Sequence, residues 1–353
     1  MAYADKEAKR IFAALPGLLL PWYAENARTL PWRRDREPYH VWVSEIMLQQ
    51  TRVEAVRGYY ERFLNALPDI PSLAAAPEET LLKLWEGLGY YSRARNLQKA
   101  AKRIVAQYGG EFPRDYDSVR ALPGVGDYTA GAICSICFES PAPAVDGNVL
   151  RIAARMCSDS APIDLPATKK AVASALKEVY PKGRCGDFTQ SLMELGACVC
   201  MPKVTKCDIC PVREICLSHA HGTQNTLPVK LPKREKRVEP RTVFLLECDG
   251  AYAIHRREGK GLLAGLWQFP NTEGQLSPSD ALQAAESFGV KPIELLRETH
   301  KTHIFTHIRW EMVGYHIRCR EKNGIFLWAT PEELRSTYAL PTAFRIFLDD
   351  AQI

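Results

Sequence analysis

The sequence lacks the features of membrane and secreted proteins. It contains no apolar run long enough to span a membrane. Residues 1–23 mix charges into an amphipathic pattern instead of the three-part pattern of a signal peptide. The chain also lacks the strand-like alternation of apolar and polar residues before Leu227, so its first part is predicted to be helical. With no targeting signal, a bacterial cytoplasm is the expected location.

The cysteines do not form the pattern of a disulfide framework. Their number is eleven, which is odd, and they are unevenly distributed along a chain without a secretory signal. Reduced thiols in a cytosol are therefore expected. A local cluster of these cysteines therefore indicates a metal site more than a set of disulfides.

The composition is typical of a soluble globular protein. Apolar residues make up 46% and charged residues 25% of the 353 positions. This length predicts two or three domains. The formal net charge of +5 permits a nucleic-acid partner without establishing one.

A glycine-rich turn at residues 122–126, LPGVG, is predicted to join two helices. Gly124 and Gly126 permit backbone angles closed to other residues, and the turn amides with the next helix N-terminus would suit a phosphate. Further along, Asp146 lies in AVDGNV at a predicted loop-to-helix junction. This combination favours chemistry on nucleic acid. The alternative is an ordinary helical hairpin whose Asp146 caps the next helix.

Residues 39–67 are predicted to form one helical stretch, because their apolar residues recur at helical spacing. Glu45 lies beside the apolar stripe, so its carboxyl could border a partly apolar cleft. Burial of this kind raises a carboxyl pKa and makes a usable general acid. The alternative is a glutamate on a solvated helix face.

The turn at residues 87–91, GLGYY, carries exposed aromatics ahead of a basic helix. Tyr90 at such a tip could stack on a base or wedge a duplex step. The alternative is that the aromatic ring packs under the turn. The basic helix alone is typical of a solvated face.

Four cysteines cluster in one short, proline-containing loop with the spacing C-x6-C-x2-C-x5-C. They are Cys200, Cys207, Cys210 and Cys216. Four such thiolates could enclose a zinc ion or an iron–sulfur cube, and the spacing does not choose between them. Cys198 is an extra thiol beside the set, while Cys134 and Cys137 are predicted to be core residues of an apolar helix.

Together these motifs resemble the helix-hairpin-helix DNA glycosylases of the endonuclease III superfamily, over residues 8–220. The hairpin, Asp146 and the four-cysteine loop occur in the family's order. Four further segments resemble its adenine DNA glycosylase (MutY) branch: LPWR at 30–33, SEIMLQQT at 44–51, GLGYYSRARNL at 87–97 and VDGNVLR at 145–151. The resemblance implies an all-α helix-hairpin-helix fold and a [4Fe–4S] cluster held by the loop at 200–216.

The resemblance also implies roles for individual residues in base removal. Glu45 matches the general acid that protonates adenine and then helps to activate water. Asp146 matches the carboxylate that stabilises or traps the positive charge left on the deoxyribose. Tyr128 and Asn148 match residues that orient this pair of carboxyl groups.

Other positions match residues that contact DNA. The base must leave the stack to be reached; Arg33 matches a residue of the pocket that receives it. Leu48, Gln50 and Tyr90 match residues that enter the duplex around the lesion. The backbone amides expected to hold a phosphate are those of Gly124, Val125 and Gly126.

One position decides the predicted reaction type. Bifunctional relatives carry a lysine nucleophile where this chain has Tyr128, and without that amine no Schiff base forms there. A monofunctional base-excising enzyme is therefore predicted. The predicted role of the cluster is structural, shaping a basic loop around Lys203 and Lys206.

The pattern changes in the last third of the chain. Residues 221–240, rich in proline and charge, predict a linker. Strand-like segments from Arg241, with helices near 278–288 and 331–336, predict an α+β domain over 241–353. Its element order resembles a Nudix-type fold, which follows the glycosylase in this branch. The hydrolase carboxylate motif is missing except for Glu286, so recognition is expected instead of nucleotide hydrolysis.

The resemblance assigns this domain the reading of 8-oxoguanine opposite the adenine, through the segment HIFTH at 303–307. Its expected contact residues are Phe305, Thr306 and His307. Many relatives carry serine where this chain has Thr306, so the hydroxyl is retained with an added methyl. The alternative is a β-turn with packed aromatics.

The chain is thus predicted to be a multidomain, monofunctional DNA glycosylase of base excision repair. Residues 1–220 would remove the adenine and 241–353 would recognise the lesion. The expected partner is double-stranded DNA with A·8-oxoguanine or A·G mispairs, bound by a nucleoid-associated monomer without a membrane partner. One rival is a related enzyme on thymine in G·T mismatches, and another is a non-catalytic DNA-binding protein. The C-terminal domain and LPWR oppose the first, and the two carboxyl groups oppose the second.

Overall fold

The computed structural model describes residues 3–232 and 235–348. Residues 233 and 234 of the predicted linker and 349–353 of the predicted C-terminal domain lie outside the described residues. The chain divides into two compact units. The first contains the described residues up to Ala75 and Arg95–Pro232, and the second contains Ala76–Ala94 and the described residues after 232.

The part of the chain up to His221 is helical, as the absence of alternating patterns predicts. Its helices are α1 (Lys6–Asn26), α2 (Pro38–Leu48), α3 (Val53–Ala66), α4 (Ile70–Ala75), α5 (Glu78–Leu84), α6 (Ser92–Tyr108), α7 (Tyr116–Arg120), α8 (Asp127–Phe138), α9 (Gly147–Met156), α10 (Pro166–Lys177), α11 (Cys185–Cys198) and α12 (Leu217–His221). Among the described residues, no helix combines the length and apolar character needed to cross a membrane.

The single helix predicted over 39–67 is interrupted between α2 and α3. Gln50 has a φ of 58°, in the left-handed region that a continuing helix does not use. The helix therefore ends at Leu48 and restarts at Val53.

The core of the helical unit is formed where α1, α9, α10 and α11 meet. Its fully buried side chains include Leu15, Val172, Phe188 and Leu192. Burying one such side chain completely stabilises the fold by roughly 1.5–3 kcal/mol. This apolar layer holds α9 and α11, which carry residues of the candidate site.

A close approach of the backbone fixes α8 against the loop before α9. A Cβ atom built at Gly131 would lie 2.2 Å from the carbonyl oxygen of Pro143. Only glycine fits at this position, because real Cβ atoms do not approach backbone so closely. The glycine thereby lets α8 and the segment leading to Asp146 come together.

The second unit is built on a mixed sheet, so its predicted α+β class is confirmed. Its elements are β1 (Arg237–Cys248), β2 (Ala251–Arg256), β3 (Trp267–Gln268), β4 (Asn271–Glu273), α13 (Pro278–Ser287), β5 (Pro292–Ile304), β6 (Ile308–Cys319), β7 (Leu327–Ala329), α14 (Pro331–Ser336) and α15 (Thr342–Arg345), with α5. The strand order is β3-β2-β1-β6-β5, with β4 on β1 and β7 on β2. Strands β1 and β6 run parallel, in register from Arg237 opposite Ile308 to Glu247 opposite Arg318.

Residues on the two faces of β1 pack into two different cores. Phe244 and Leu246 face α13 with its buried Ala285, whereas Val243 and Leu245 face the side where α14 and α15 lie. This alternation follows from the two-residue period of a strand. The central strand is therefore apolar on both faces, which is why the sequence predicts it clearly.

Two features of the sheet differ from the sequence prediction. Strand β1 begins at Arg237, inside the segment predicted as linker. Strands β4 and β5 lie outside the strand-like segments of the sequence, which are 242–248, 251–257, 266–270, 309–319 and 325–330. Strand β5 lies at the edge of the sheet, and most of its side chains are exposed or half-buried. An edge strand buries little, so its sequence carries no strong apolar alternation.

Candidate active site

Glu45 is a buried carboxyl group on an almost wholly buried helix. Its neighbours Trp42, Val43, Ile46 and Met47 are core residues of α2, and Glu45 itself is 6% exposed. The alternative of a solvated helix face is therefore wrong for this residue. Burial raises the pKa of Glu45 to about 7, because the charged form loses its hydration.

The phenol of Tyr128 is the hydrogen-bond donor to this carboxyl group. Its hydroxyl donates to Oε2 of Glu45 at 2.6 Å, from the first turn of α8. That bond lowers the pKa of Glu45 and offsets part of the effect of burial. The pKa of Tyr128 is raised well above its usual value, chiefly by burial, so the phenol keeps its proton.

Asp146 caps α9, as in the alternative of a helix-capping residue, and it also lines the cleft. Its Oδ1 accepts from the amide of Val149 at 2.8 Å, and its Oδ2 accepts from Nδ2 of Asn148 at 2.7 Å. Burial raises the pKa of Asp146, and these two donors act in the opposite direction. Hydrogen bonds from N–H groups favour the charged carboxylate.

The two carboxyl groups share one cleft of about 1360 Å³. The charge of Asp146 raises the pKa of Glu45, so the two groups interact electrostatically. Of the other predicted site residues, this cleft is lined by Leu48, Gln50, Gly124, Gly126 and Tyr128. Residues from three separated parts of the sequence thus meet at one opening.

The hairpin at 122–126 is a tight turn that leads into α8. Gly124 has a φ of 77°, and a Cβ there would lie 2.7 Å from Cβ of Asn96, so glycine is required on both grounds. Gly126 caps the N-terminus of α8, where unpaired amides suit an anion. Val125 differs from the prediction: its amide donates to the carbonyl of Leu122 at 3.1 Å and is used within the turn.

Arg33 belongs to a buried ion cluster that the sequence interpretation missed. Its Nη2 donates to Oε2 of Glu194 at 2.8 Å, while Arg28 binds both oxygens of the same carboxylate. Glu194 lies on α11 and is fully buried. Burial alone would raise the pKa of Glu194, but the two guanidinium groups hold it at about 2.

The ion cluster is coupled to the cleft through Arg33, whose positive charge lowers the pKa of Glu45. A signal for Glu194 was present in the sequence, because it occupies an apolar position between Leu192 and Leu195 of an amphipathic helix. A charged residue at a core position needs a partner. The candidate partner for this carboxylate in the sequence was Arg33 of the LPWR segment.

The predicted lesion-reading residues lie in the second unit. The hydroxyls of Tyr90 and Thr306 are 2.7 Å apart and form a hydrogen bond. Tyr90 is 46% exposed with a φ of 46°, at the tip of the turn after α5. The ring of Phe305 packs at 4.9 Å from that of Trp310, as in the alternative of packed aromatics. His307 accepts a backbone hydrogen bond from Arg237.

The four cysteines of the loop line a common cavity with Arg155 and Arg213. Nη1 of Arg155 donates to Sγ of Cys200 at 3.2 Å. Among residues 3–232 and 235–348, no three His, Cys, Asp or Glu side chains are placed to share a single metal ion. Cys134 is buried in α8, as predicted for a core residue.

Arg151 joins this loop to the cleft. Its Nε donates to the carbonyl of Cys200 at 2.8 Å, and its Nη2 donates to Oδ1 of Asn148 at 2.9 Å. Asn148 in turn donates to Asp146. The position of the cysteine loop is therefore linked to the residue that holds Asp146.

The fold and the cleft define a class of protein, which comparison with known families identifies. Residues 43–182 match the HhH-GPD superfamily of base excision DNA repair proteins, and residues 242–350 match the NUDIX domain. The structure is also similar to that of a thermostable thymine-DNA glycosylase, with 27% identity and a TM-score of 0.54. The match covers 62% of this chain and 99% of that one.

Curated relatives identify the branch within that class. The chain is 33% identical to the adenine DNA glycosylase of Rattus norvegicus, over 93% of this chain and 77% of the relative. It is 34% identical to the adenine DNA glycosylase of Buchnera aphidicola subsp. Baizongia pistaciae, over 82% and 83% of the two chains. The chain belongs to the adenine DNA glycosylase family. It is an enzyme that hydrolyses the N-glycosidic bond of adenine in DNA.

Proposed function

We propose that this enzyme is a monofunctional glycosylase that removes adenine paired with 8-oxoguanine or guanine. The observation that carries the proposal is that two carboxyl groups in one cleft have surroundings that favour different protonation states. Glu45 is buried, bonded to Tyr128 and has a pKa near 7, whereas Asp146 is held by two N–H donors. One group is suited to give a proton and the other to remain charged.

The proposed reaction begins with adenine extruded from the duplex into the cleft. Glu45 protonates a ring nitrogen of the base, which turns adenine into a better leaving group. Cleavage of the glycosidic bond leaves positive charge on the deoxyribose, and the negative charge of Asp146 stabilises it. Glu45, now deprotonated, assists the attack of water on the sugar.

Two residues position the carboxyl groups in this proposal. Asn148 donates to Asp146 and receives a hydrogen bond from Arg151, so its amide orientation is fixed by both partners. Tyr128 donates to Glu45 from the position that would carry the lysine of a bifunctional enzyme. Because a phenol forms no Schiff base, strand cleavage through that position is not expected.

Recognition of the base opposite adenine is proposed for the second unit. Tyr90 and Thr306 present two hydrogen-bonded hydroxyls at an exposed surface, beside Phe305. Such groups provide a ring for stacking and hydroxyls for hydrogen bonding to a base. The retained helix α13 carries Glu286 without the remaining carboxylates of a nucleotide hydrolase, which supports recognition as the role of this unit.

The cysteine loop is proposed to hold a [4Fe–4S] cluster. Its four thiols converge on one cavity, and Arg155 provides a charged donor to Cys200, as a thiolate site requires. A zinc ion, the alternative that the spacing leaves open, would bind the same four thiolates. The purified enzyme should contain iron and inorganic sulfide in equal amounts; stoichiometric zinc would contradict the proposal.

The deciding experiment is single-turnover base release by the full-length enzyme. The substrates are duplexes with adenine opposite 8-oxoguanine, guanine or thymine, and a duplex with a G·T mismatch, each analysed with and without alkali. Adenine release from the first two, with strands cut only after alkali, is expected. Thymine release from G·T, or strand breaks without alkali, would contradict the substrate or the monofunctional assignment.

A further inference from the structure

Three lysines on α10 have no part in the chemistry proposed above, although they line the same cleft. They are Lys169, Lys170 and Lys177, and all three are exposed. Within the described parts of the chain, none of them has an ion-pair partner. Their charges are therefore available to a ligand of the cleft.

The geometry of α10 presents these lysines together. The helix buries Thr168, Val172 and Leu176 in the core of the helical unit. At 100° per residue, Lys170 and Lys177 fall on the opposite side of the helix from this apolar stripe, whereas Lys169 lies at its edge, next to Leu176. Ser174, which also lines the cleft, lies on the same polar face.

The distribution of charge in the cleft points to the kind of ligand. The acidic side chains that line it are Glu45, Asp117, Asp127 and Asp146. The lysines of α10 are the only cationic side chains among its described lining residues. The hairpin amides bind a phosphate without adding formal charge, while DNA carries about one negative charge per 1.7 Å of axis. The lysines supply the positive charge that the rest of the cleft lacks.

We infer that the lysine face of α10 is a second phosphate-binding surface, which holds the DNA backbone while the hairpin holds a separate phosphate. Lys170 and Lys177 are separated by about 10 Å along the helix axis, a length over which one DNA strand carries about three phosphates. The inference rests on the proposed function, since it requires DNA in the cleft.

The test measures how salt weakens the binding of full-length enzyme to an undamaged duplex. The triple substitution K169Q/K170Q/K177Q should reduce the slope of log K against log salt by up to about 0.9 per lysine. The control K6Q/K9Q removes two exposed lysines of α1 that do not line the cleft; its slope should equal that of the unsubstituted enzyme. The charge-retaining variant K169R/K170R/K177R should restore the slope.

The outcomes separate this inference from the proposed function. An unchanged slope in the glutamine triple overturns the lysine surface even if adenine is released normally. An equal loss of slope in the α1 control also overturns it, because the effect would then be one of net charge. If the slope falls only in the triple while no adenine is released, the lysine surface stands and the proposed function fails.

Discussion

Glu45 and Glu194 are both buried glutamates of the helical unit, yet their pKa values move in opposite directions. Glu45 is 6% exposed and Glu194 is 0% exposed, so burial alone does not distinguish them. Their hydrogen-bond partners differ. Glu45 receives a bond from one neutral phenol, whereas Glu194 receives bonds from two guanidinium groups. The pKa is therefore about 7 at Glu45 and about 2 at Glu194.

The difference shows how one residue type serves two purposes within a single unit. Burial penalises the charged form in both cases; the neutral phenol offsets this cost only in part at Glu45, whereas the two guanidinium groups more than offset it at Glu194. Glu45 keeps a proton that it can transfer near neutral pH, while Glu194 stays ionised and holds Arg28 and Arg33 in place. Arg33 connects the two sites, since its charge lowers the pKa of Glu45.

The largest expected effect comes from removing the transferable proton. The substitution Glu45→Gln keeps the shape of the side chain but cannot act as an acid, so single-turnover adenine release should fall by about 10²–10⁴-fold. Duplex binding should persist. The matched control Glu54→Gln changes an exposed glutamate of α3 and should retain full activity. Unchanged excision by the first variant would refute the acid assignment.

Removing the ionised glutamate should affect stability next. Glu194→Gln leaves two partly buried guanidinium groups without their carboxylate, which should lower the free energy of unfolding by roughly 3 kcal/mol at pH 7. Because the folded pKa is lowered, this stabilisation is present above pH 4.5 and is lost as the pH falls towards 2. Urea unfolding at several pH values measures both effects. A stability equal to that of the exposed-site control Glu25→Gln would refute the role of the ion cluster.

Glutamate-to-glutamine substitution at Glu45 should raise the free energy of unfolding, whereas at Glu194 it should lower it. Since the folded pKa of Glu45 is raised, the folded state binds the proton more tightly, and stability falls as the pH rises from 4.5 through about 7. Glutamine escapes this penalty, so Glu45→Gln should gain about 3 kcal/mol above pH 7 and nothing below pH 4.5. Urea unfolding of the unsubstituted enzyme and of the variant, below pH 4.5 and above pH 7, measures this gain. A gain of the same size at low pH would show that another cause operates.

The smallest expected effect concerns Tyr128. Its hydrogen bond lowers the pKa of Glu45, so Tyr128→Phe should raise that pKa by about one unit. In the wild type, the single-turnover rate should fall as the pH rises through about 7, because Glu45 loses its proton. In the variant this fall should occur about one unit higher. Tyr108→Phe on α6 is the control, and a variant profile identical to it would show that Tyr128 does not set the pKa.

Local features of the site could be predicted from the sequence. The glycine turn at 122–126 and the helix cap at Asp146 depend on the backbone preferences of a few neighbouring residues. The interruption after Leu48 was not predicted, because the apolar period continues through it. The edge strand β5 was also missed, since it is mostly exposed.

The division into units shows the same limit on a larger scale. Composition places the boundary in the charged segment after residue 220, but Ala76–Ala94 belongs to the second unit. Within that unit, Nζ of Lys83 donates to the carbonyl of Tyr338 at 3.1 Å, and the carboxylate of Glu86 accepts from the amide of Leu340 at 2.8 Å. These partners are more than 250 positions apart in sequence, so no local pattern reveals them.

The sequence by itself indicated the motifs, the helical and α+β classes and two of the carboxyl groups that line the cleft, Glu45 and Asp146. These follow from residue type, spacing and local backbone preference. Only the tertiary structure decided which glutamate would hold a proton and which would hold a charge. That choice depends on burial and on donors from distant segments, with Tyr128 at Glu45 and the two arginines at Glu194. A pKa is set by this assembled environment, because the energy of a buried charge depends on the groups around it.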